Sequence, residues 1–186
     1  FLDWLFFRKK GFNIITLNLG GISNISVINQ DCRKNDVIGF DTGPGMSLID
    51  ECVRKFWGEE YDKNGKYSSQ GKIVQSMLDY LIDDASFIVK APPKSTGRED
   101  FGEKYLKKII KRYKDLSPFD ITRTLIKFTS MSIKLNLEKF IFPKFKIDKL
   151  IVSGGGSNHP ILIDDIKKDL DISVSNIMDY KIESKF

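Results

Sequence analysis

The sequence predicts an α/β fold, a mixed β-sheet flanked by helices. Three observations predict it. Short runs of β-branched and aliphatic residues end in glycine turns at Gly20-Gly21, Gly43-Pro44-Gly45 and Gly154-Gly155-Gly156. Between the second and third of these lie segments with apolar residues at spacings of three and four, the helical period. The last third reads strand, turn, helix, strand. An order of β-β-β-α, then helices, then β-α-β gives a sheet with helices packed on it. At 186 residues the chain is one ordinary domain or one lobe of something larger.

Each element has its local reason. Residues 1–10 read as the end of a helix with Leu2, Leu5 and Phe6 on one face, closed by Gly11 as a C-cap. Residues 12–29 are rich in Ile, Leu, Val and Thr on both sides of Gly20-Gly21, which predicts two strands and a hairpin turn. Residues 37–40 form a third strand that runs into Asp41-Thr-Gly-Pro-Gly45. Met46, Ile49, Val53, Phe56 and Trp57 mark a helix over 46–57. Residues 58–71 are polar and glycine-bearing, hence a loop, and 73–82 are a helix. Residues 91–101 are irregular, because Pro92-Pro93 cannot join a helix interior. Residues 101–113 are helical. Ser117-Pro118-Phe119-Asp120 starts the longest helix: Ser caps, Pro fits the first turn, and Asp bonds back to the cap and meets the dipole. It runs to about Phe142, with Ile121, Leu125, Phe128, Ser132 and Leu135 as its buried stripe. A buried strand at 149–152, a helix from Pro160 to about Leu170 and a strand at 172–175 complete the chain. No internal repeat or linker interrupts it.

Composition excludes several classes. Apolar residues at 41% against 30% charged exclude a wholly disordered chain. No apolar run approaches the ~20 residues of a membrane span. The first ten residues are too short, with charge at the wrong end, for a secretory signal. The net charge of +5 is scattered among acids, which is a solvated surface rather than the concentrated stripe of a nucleic-acid binder. The densest basic stretch, 104–114, is the polar side of a helix. Two cysteines twenty apart, Cys32 and Cys52, and a single His cannot build a zinc site. A disulfide between them is unneeded at this size, and a reduced, cytoplasmic setting fits better.

The glycine turns are where chemistry can sit. Glycine lets a phosphate approach the backbone, and exposed N–H groups of such turns bind anions. Each turn alone serves equally as a tight connection; three at strand ends point to a nucleotide or sugar-phosphate cleft. Neither a P-loop nor a Gly-x-Gly-x-x-Gly opening is present, so ATP would be held by hairpin turns. Asp41 follows an apolar strand and precedes a glycine turn, a rigid yet exposed position that suits a general base. A turn-capping Asp bonded to the Gly43 amide fits the same local pattern.

Several strings together resemble one family. Asn18-Leu-Gly-Gly-Ile-Ser-Asn-Ile-Ser26, Gly39-Phe-Asp-Thr-Gly-Pro-Gly45 with Leu48-Ile-Asp50, Tyr61-Asp-x-x-Gly65, Pro92-Pro-Lys-Ser-Thr-Gly-Arg-Glu-Asp-Phe101, Asp120-Ile-Thr-x-Thr-Leu125 and Gly154-Gly-Gly-x-Asn158 occur in the order found in anhydro-N-acetylmuramic acid kinases. The resemblance implies a ribonuclease H-like lobe of the actin/hexokinase type. It implies ATP with Mg²⁺ as cofactors, 1,6-anhydro-N-acetylmuramic acid as substrate and N-acetylmuramate 6-phosphate as product of cell-wall recycling. It makes Asp41 the general base. It assigns Gly20, Gly21, Asn24 and Gly43 to phosphate, and Gly154, Gly155, Gly156 and Asn158 to the nucleotide. It sets Thr42, Gly45, Lys94 and Arg98 at the substrate cleft, where Lys94 and Arg98 reach phosphate or a carboxylate, or else form surface ion pairs. His159 reads as a loop residue rather than a catalyst. No protein metal ligand, nucleic acid or membrane is implied; a homodimer is.

The resemblance has limits. Family members are longer and begin with a Gly-Thr-Ser-x-Asp-Gly hairpin that nothing here matches. Together with the Phe start and the Lys185-Phe186 end, this predicts a fragment. Residues 1–12 are then a helix end leading from a first lobe, and 13–186 a second lobe, incomplete at its C-terminus. Such a piece alone should turn over little. Two other readings are a non-catalytic nucleotide- or sugar-binding lobe of a degenerate paralogue, and a kinase of the same superfamily acting on another sugar.

Overall fold

The structure is a computed structural model that describes residues 2–30 and 33–180. Strands β1 (Ile14–Leu19), β2 (Ile22–Ile28), β3 (Ile38–Pro44), β4 (Lys149–Ser153) and β5 (Ser173–Asn176) form one sheet in the order β3-β2-β1-β4-β5. β1, β2 and β3 are antiparallel neighbours, whereas β4 and β5 run parallel to β1. The helices are α1 (Leu2–Phe7), α2 (Ser47–Trp57), α3 (Gln75–Asp84), α4 (Ser86–Val89), α5 (Glu103–Arg112), α6 (Pro118–Asn136) and α7 (Pro160–Asp169). No helix among the described residues is long and apolar enough to cross a membrane.

The sheet has two unequal faces. Ile15, Leu17 and Leu19 of β1 enter the main core with Leu48 and Ile49 of α2, Leu81 of α3, Ile109 of α5, Leu125 and Phe128 of α6 and Ile166 of α7. The alternate residues Ile14, Ile28 and Ile151 form a smaller core under Phe7, Trp4, Ile177 and Tyr180. Phe7 and Tyr180 meet edge to face at 5.6 Å, and Thr16 donates to Asp3 at 3.0 Å. α1 thus covers only the end of the sheet where β1 begins.

Several boundaries differ from the sequence expectation. α1 ends at Phe7, and Gly11 (φ 81°) turns the chain four residues beyond it. α3 starts at Gln75, and α4 follows it directly in a stretch too short for periodicity to reveal. The 58–71 segment contains two 3₁₀ turns and buries Asp62, Tyr67 and Ser68, so it is a packed loop. Ser117 caps α6 as expected, accepting from the Phe119 and Asp120 amides. Asp120 does not bond back to it; its carboxylate accepts from the Lys72 amide at 2.8 Å and ties α6 to the residue that follows the 58–71 loop. α6 gives way to a π-helical turn at Leu137–Ile141. Its burial is wider than one stripe, taking in Ile126, Thr129 and Ile133, while Leu135 is only half-buried. Cys52 is a free, buried thiol beside Thr122; Cys32 lies outside the described residues.

Candidate active site

β3 continues through Asp41 to Pro44, so Asp41 lies inside a strand rather than after one. The pairing with β2 steps from Asn24↔Asp41 to Ser23↔Gly43, leaving Thr42 as the extra residue of a bulge. A bulge re-aims side chains. Thr42 is buried here, its Oγ1 2.7 Å from Ser23 Oγ, so it supports the strand from within. Gly43 (φ 135°) lies against Ser132 of α6. The register places Asp41, Asn24, Asn18 and Ser153 at one level of the sheet, on four adjacent strands. Asn18 is the one exposed residue of β1.

The three glycine turns meet at this end of the sheet. Gly20 and Gly21 carbonyls accept from the Met46, Gly45 and Ser47 amides at 2.8, 2.9 and 3.1 Å. The first donors of α2 are therefore bound to the hairpin. A Cβ on Gly45 would stand 2.2 Å from the Gly20 carbonyl oxygen, so only glycine permits this approach. Gly154 (φ 82°) lies as tightly against Asn18 and the Leu19 carbonyl, and Gly156 against Leu19 and Met46. Gly155 has open space where its side chain would be.

Around these turns lies a cleft of about 700 Å³. Of the residues expected at the site, it brings together Gly20, Gly21, Gly155, Asn158 and Arg98. Gly154 and Gly156 do not line it but pack closely on Leu19, and Gly156 also on Met46, both of which do. Asn24, Asp41, Thr42, Gly43, Gly45 and Lys94 do not line it. Arg98 is exposed, its Nε 3.5 Å from where a Cβ of Gly21 would be. Among the described residues no carboxylate pairs with it, in contrast to the surface ion-pair alternative.

Asp41 is half-buried. Its Oδ2 accepts from Ser95 Oγ at 2.8 Å and from the Thr96 amide at 2.9 Å, and its own amide donates to the Lys94 carbonyl at 3.3 Å. These partners, not the Gly43 amide, orient the carboxylate. The irregular segment 91–98 thus straps across β3, one end holding Asp41 and the other bringing Arg98 over the hairpin.

Lys94 corrects a sequence expectation. It reaches neither the cleft nor a surface partner. Its Nζ is buried and donates to the Phe87 and Ile88 carbonyls at 3.0 and 2.9 Å, among the rings of Phe40, Phe87 and Phe140. Burial pulls its ammonium down to about 8, with Lys139 acting the same way and Asp41 opposing.

Sequence reasoning gave no site role to three residues that the structure sets at or beside the cleft. Asp50, in the first turn of α2, lines the cleft, and its Oδ1 is buried without a hydrogen-bond partner. Burial pushes its carboxyl up to about 6 against the pull of Arg54, Arg98 and His159. Periodicity marked its neighbours Ile49 and Val53 but gives a carboxylate no weight. Second, His159 is a buried N-cap: its Nδ1 accepts from the Leu162 amide, which leaves the proton on Nε2 to donate to Asp62 Oδ2 at 3.2 Å. Burial pushes Asp62 up, but bonds from His159, Ser68 and the Tyr67 amide outweigh it and hold the carboxyl below its usual range. This pair locks the 58–71 loop onto the 154–159 turn. Tyr61-Asp-x-x-Gly65 was the available signal. Third, Asn18 opens the Asn18–Ser26 string but was given no role; the register sets it level with Asn24 and Ser153.

Comparisons with known proteins agree with this layout. The anhydro-N-acetylmuramic acid kinase family matches the chain over residues 1–186. The chain is 40% identical over 166 residues to the anhydro-N-acetylmuramic acid kinase of Clostridioides difficile (strain 630), covering 89% of this chain and 43% of that protein. It is 38% identical over 179 residues to the enzyme of the same name from Francisella tularensis subsp. novicida (strain U112), covering 96% and 47%. The chain therefore spans less than half the length of these relatives. Among solved structures, the activator of the 2-hydroxyisocaproyl-CoA dehydratase from Clostridium difficile with bound ADPNP superposes with a TM-score of 0.53 at 7% identity, over 94% of this chain and 56% of that one. That likeness concerns the fold, an actin/hexokinase-like lobe with a mixed sheet flanked by helices. Matched along its whole length by one family, with that family's strings on the strap, the bulged strand and the glycine turns, the chain belongs to the anhydro-N-acetylmuramic acid kinases.

Proposed function

We propose that this chain is the second lobe of an ATP-dependent kinase that opens 1,6-anhydro-N-acetylmuramic acid to N-acetylmuramate 6-phosphate. The observation that carries the reading is Asp41: a carboxylate on a rigid strand, its Oδ2 fixed by Ser95 and Thr96, beside the glycine turns. Opening a glycosidic bond ordinarily takes an acid at the leaving oxygen and a base at the attacking water. Here the leaving oxygen is O6 of the same sugar. As the water oxygen bonds to C1, the C1–O6 bond breaks and O6 attacks the γ-phosphorus of ATP, releasing ADP. The phosphoryl group replaces the acid's proton, so one base suffices, and Asp41 takes the water proton.

The cleft suits a nucleotide. Gly155 leaves its mouth open, Arg98 offers a cation without an ion-pair partner among the described residues, and the hairpin glycines admit phosphate. Among the described residues no three His, Cys, Asp or Glu side chains cluster to hold a metal ion. Mg²⁺ would here be held largely by phosphate oxygens and water, with at most one or two carboxylates, and would neutralise charge on the transferred group. We assign the work to the cytoplasm, where ATP is supplied, and the active assembly to a homodimer. This reading assigns Asn24, one strand from Asp41, and Asn18, on the next strand, to phosphate or sugar hydroxyls.

Asp41→Asn in the intact protein tests the reading. Formation of sugar phosphate, followed by mass spectrometry, should fall at least about 10³-fold while nucleotide affinity by calorimetry stays within about twofold. Near-normal turnover by this variant would remove the assignment of the base.

A further inference from the structure

The strap that holds Asp41 is exposed at half of its residues: Ala91, Pro93, Ser95 and Arg98 face solvent. An exposed, proline-bearing segment has little to fix it. Yet two of its donors must meet Asp41 Oδ2 at hydrogen-bond distance. Lys94 is the exception, only 7% exposed. Burying an ammonium ion costs free energy unless its hydrogen bonds are made. Lys94 makes two, both to carbonyls of the single-turn helix α4. Three rings wall it in: Phe87 at 4.8 Å, Phe140 at 5.3 Å and Phe40 at 5.8 Å. Phe87 belongs to α4, Phe140 to the π turn that ends α6, and Phe40 precedes Asp41 on β3. Three separate elements therefore build one socket for one side chain of the strap. The charged groups that bear on it are Lys139, Lys90 and Asp41.

We propose that Lys94 is the positioning residue of Asp41: its socketed ammonium pins the strap, and the pinned strap presents Ser95 Oγ, the Thr96 amide and the Lys94 carbonyl to Asp41. Lys94 touches no reacting atom. It acts through its neighbours, and this inference rests on the reading of Asp41 as the base.

The test is a double-mutant cycle in the intact kinase. Lys94→Met keeps the stem and the apolar fill of the socket but not the charge. It should lower kcat roughly 10- to 100-fold, with the KM of both substrates within about twofold, because a base displaced by a fraction of an ångström still leaves binding intact. Ser95→Ala alone should also lower kcat, yet add nothing in the Lys94→Met background, since the hydroxyl is already out of place. Lys94→Arg, which keeps the cation, should recover part of the loss. If Lys94→Met retains the parental kcat, or if the two losses multiply, the inference is overturned. If Lys94→Met fails to fold, Phe140→Leu replaces it in the same cycle. That variant thins one wall of the socket, with the same non-additive outcome expected and the multiplicative one overturning. Asp41→Asn separates the two levels. An active Asp41→Asn sinks the base itself, whereas an inactive Asp41→Asn beside a normal Lys94→Met sinks only the role of Lys94.

Discussion

At the scale of single residues, Asp50 has a measurable signature. A buried oxygen without a donor favours the protonated carboxyl, and burial accordingly pushes Asp50 up to about 6 from 3.8. Between those two values the folded chain binds a proton that the unfolded chain has released. Stability therefore falls as pH rises through that window, and above about 6 the charged form is a standing cost. Asp50→Asn removes this term. The variant should melt higher than the parent at pH 7, by about 2–4 °C for each kcal/mol recovered, and the gap should close by pH 4. Differential scanning calorimetry of both proteins at pH 4 and 7 checks it; a gap that does not change with pH would mean Asp50 has another partner. Asp62 is the counter-case, a buried carboxylate held down by His159 and two amides, whose contribution is kept above pH 4 and lost on acidification. The sequence shows both residues as acids inside family strings. It does not show which one has donors, because the donors come from 5 to 97 positions away.

At the scale of elements, what was legible followed from local chemistry. The strands, the hairpin at Gly20-Gly21, the irregular strap and the cap of α6 each depend on residues a few positions apart. What was not legible depends on two elements meeting. The bulge at Thr42 and the π turn after Asn136 are of this kind, and they belong together. α6 sends three polar side chains onto the backbone of β3 and of Gly45, which follows it. Thr129 Oγ1 donates to the Gly45 carbonyl at 2.9 Å, Ser132 lies against Gly43, and Asn136 Nδ2 donates to the Thr42 carbonyl at 2.9 Å. The sequence reading placed Ser132 in the buried stripe of α6, and it is buried; what that reading did not show is that the polar residues there form a seam that fixes the strand carrying Asp41. Asn136→Leu would leave the buried Thr42 carbonyl unpaired beside the bulge. The expected loss is about 1–3 kcal/mol in urea unfolding of the intact protein, with a smaller loss for Asn136→Ser, whose hydroxyl can bond a water there. Equal stability of parent and Leu variant would show that the strand does not depend on the seam.

At the scale of the whole molecule, the sheet separates two ends with different work. β1 begins at Ile14, under α1, and ends at Leu19, among the glycine turns. Those ends are about 16 Å apart at the rise of an extended strand. The sequence reading assigned residues 1–12 to a connection from a first lobe and began this lobe at residue 13. The packing argues for a different boundary. Phe7, Ile14, Ile28 and Ile151 make one buried cluster, closed from outside by Trp4, Ile177 and Tyr180, so α1 packs on that face of the sheet as part of its core. A connection that merely passes by would tolerate truncation of its side chains. A cap would not: Phe7→Ala should cost about 3–5 kcal/mol, the sum of lost transfer energy and the cavity left behind. In the intact protein, hydrogen exchange should then quicken first at the amides of Ile14, Ile28 and Ile151, while the turns at Gly20-Gly21 and Gly154-Gly155-Gly156, at the far end of β1, keep their protection. Faster exchange confined to α1 itself would return residues 1–12 to the role of a connection. Loss of protection at both ends together would mean the sheet unfolds as one unit, with no separation between the end that is capped and the end that carries Asp41.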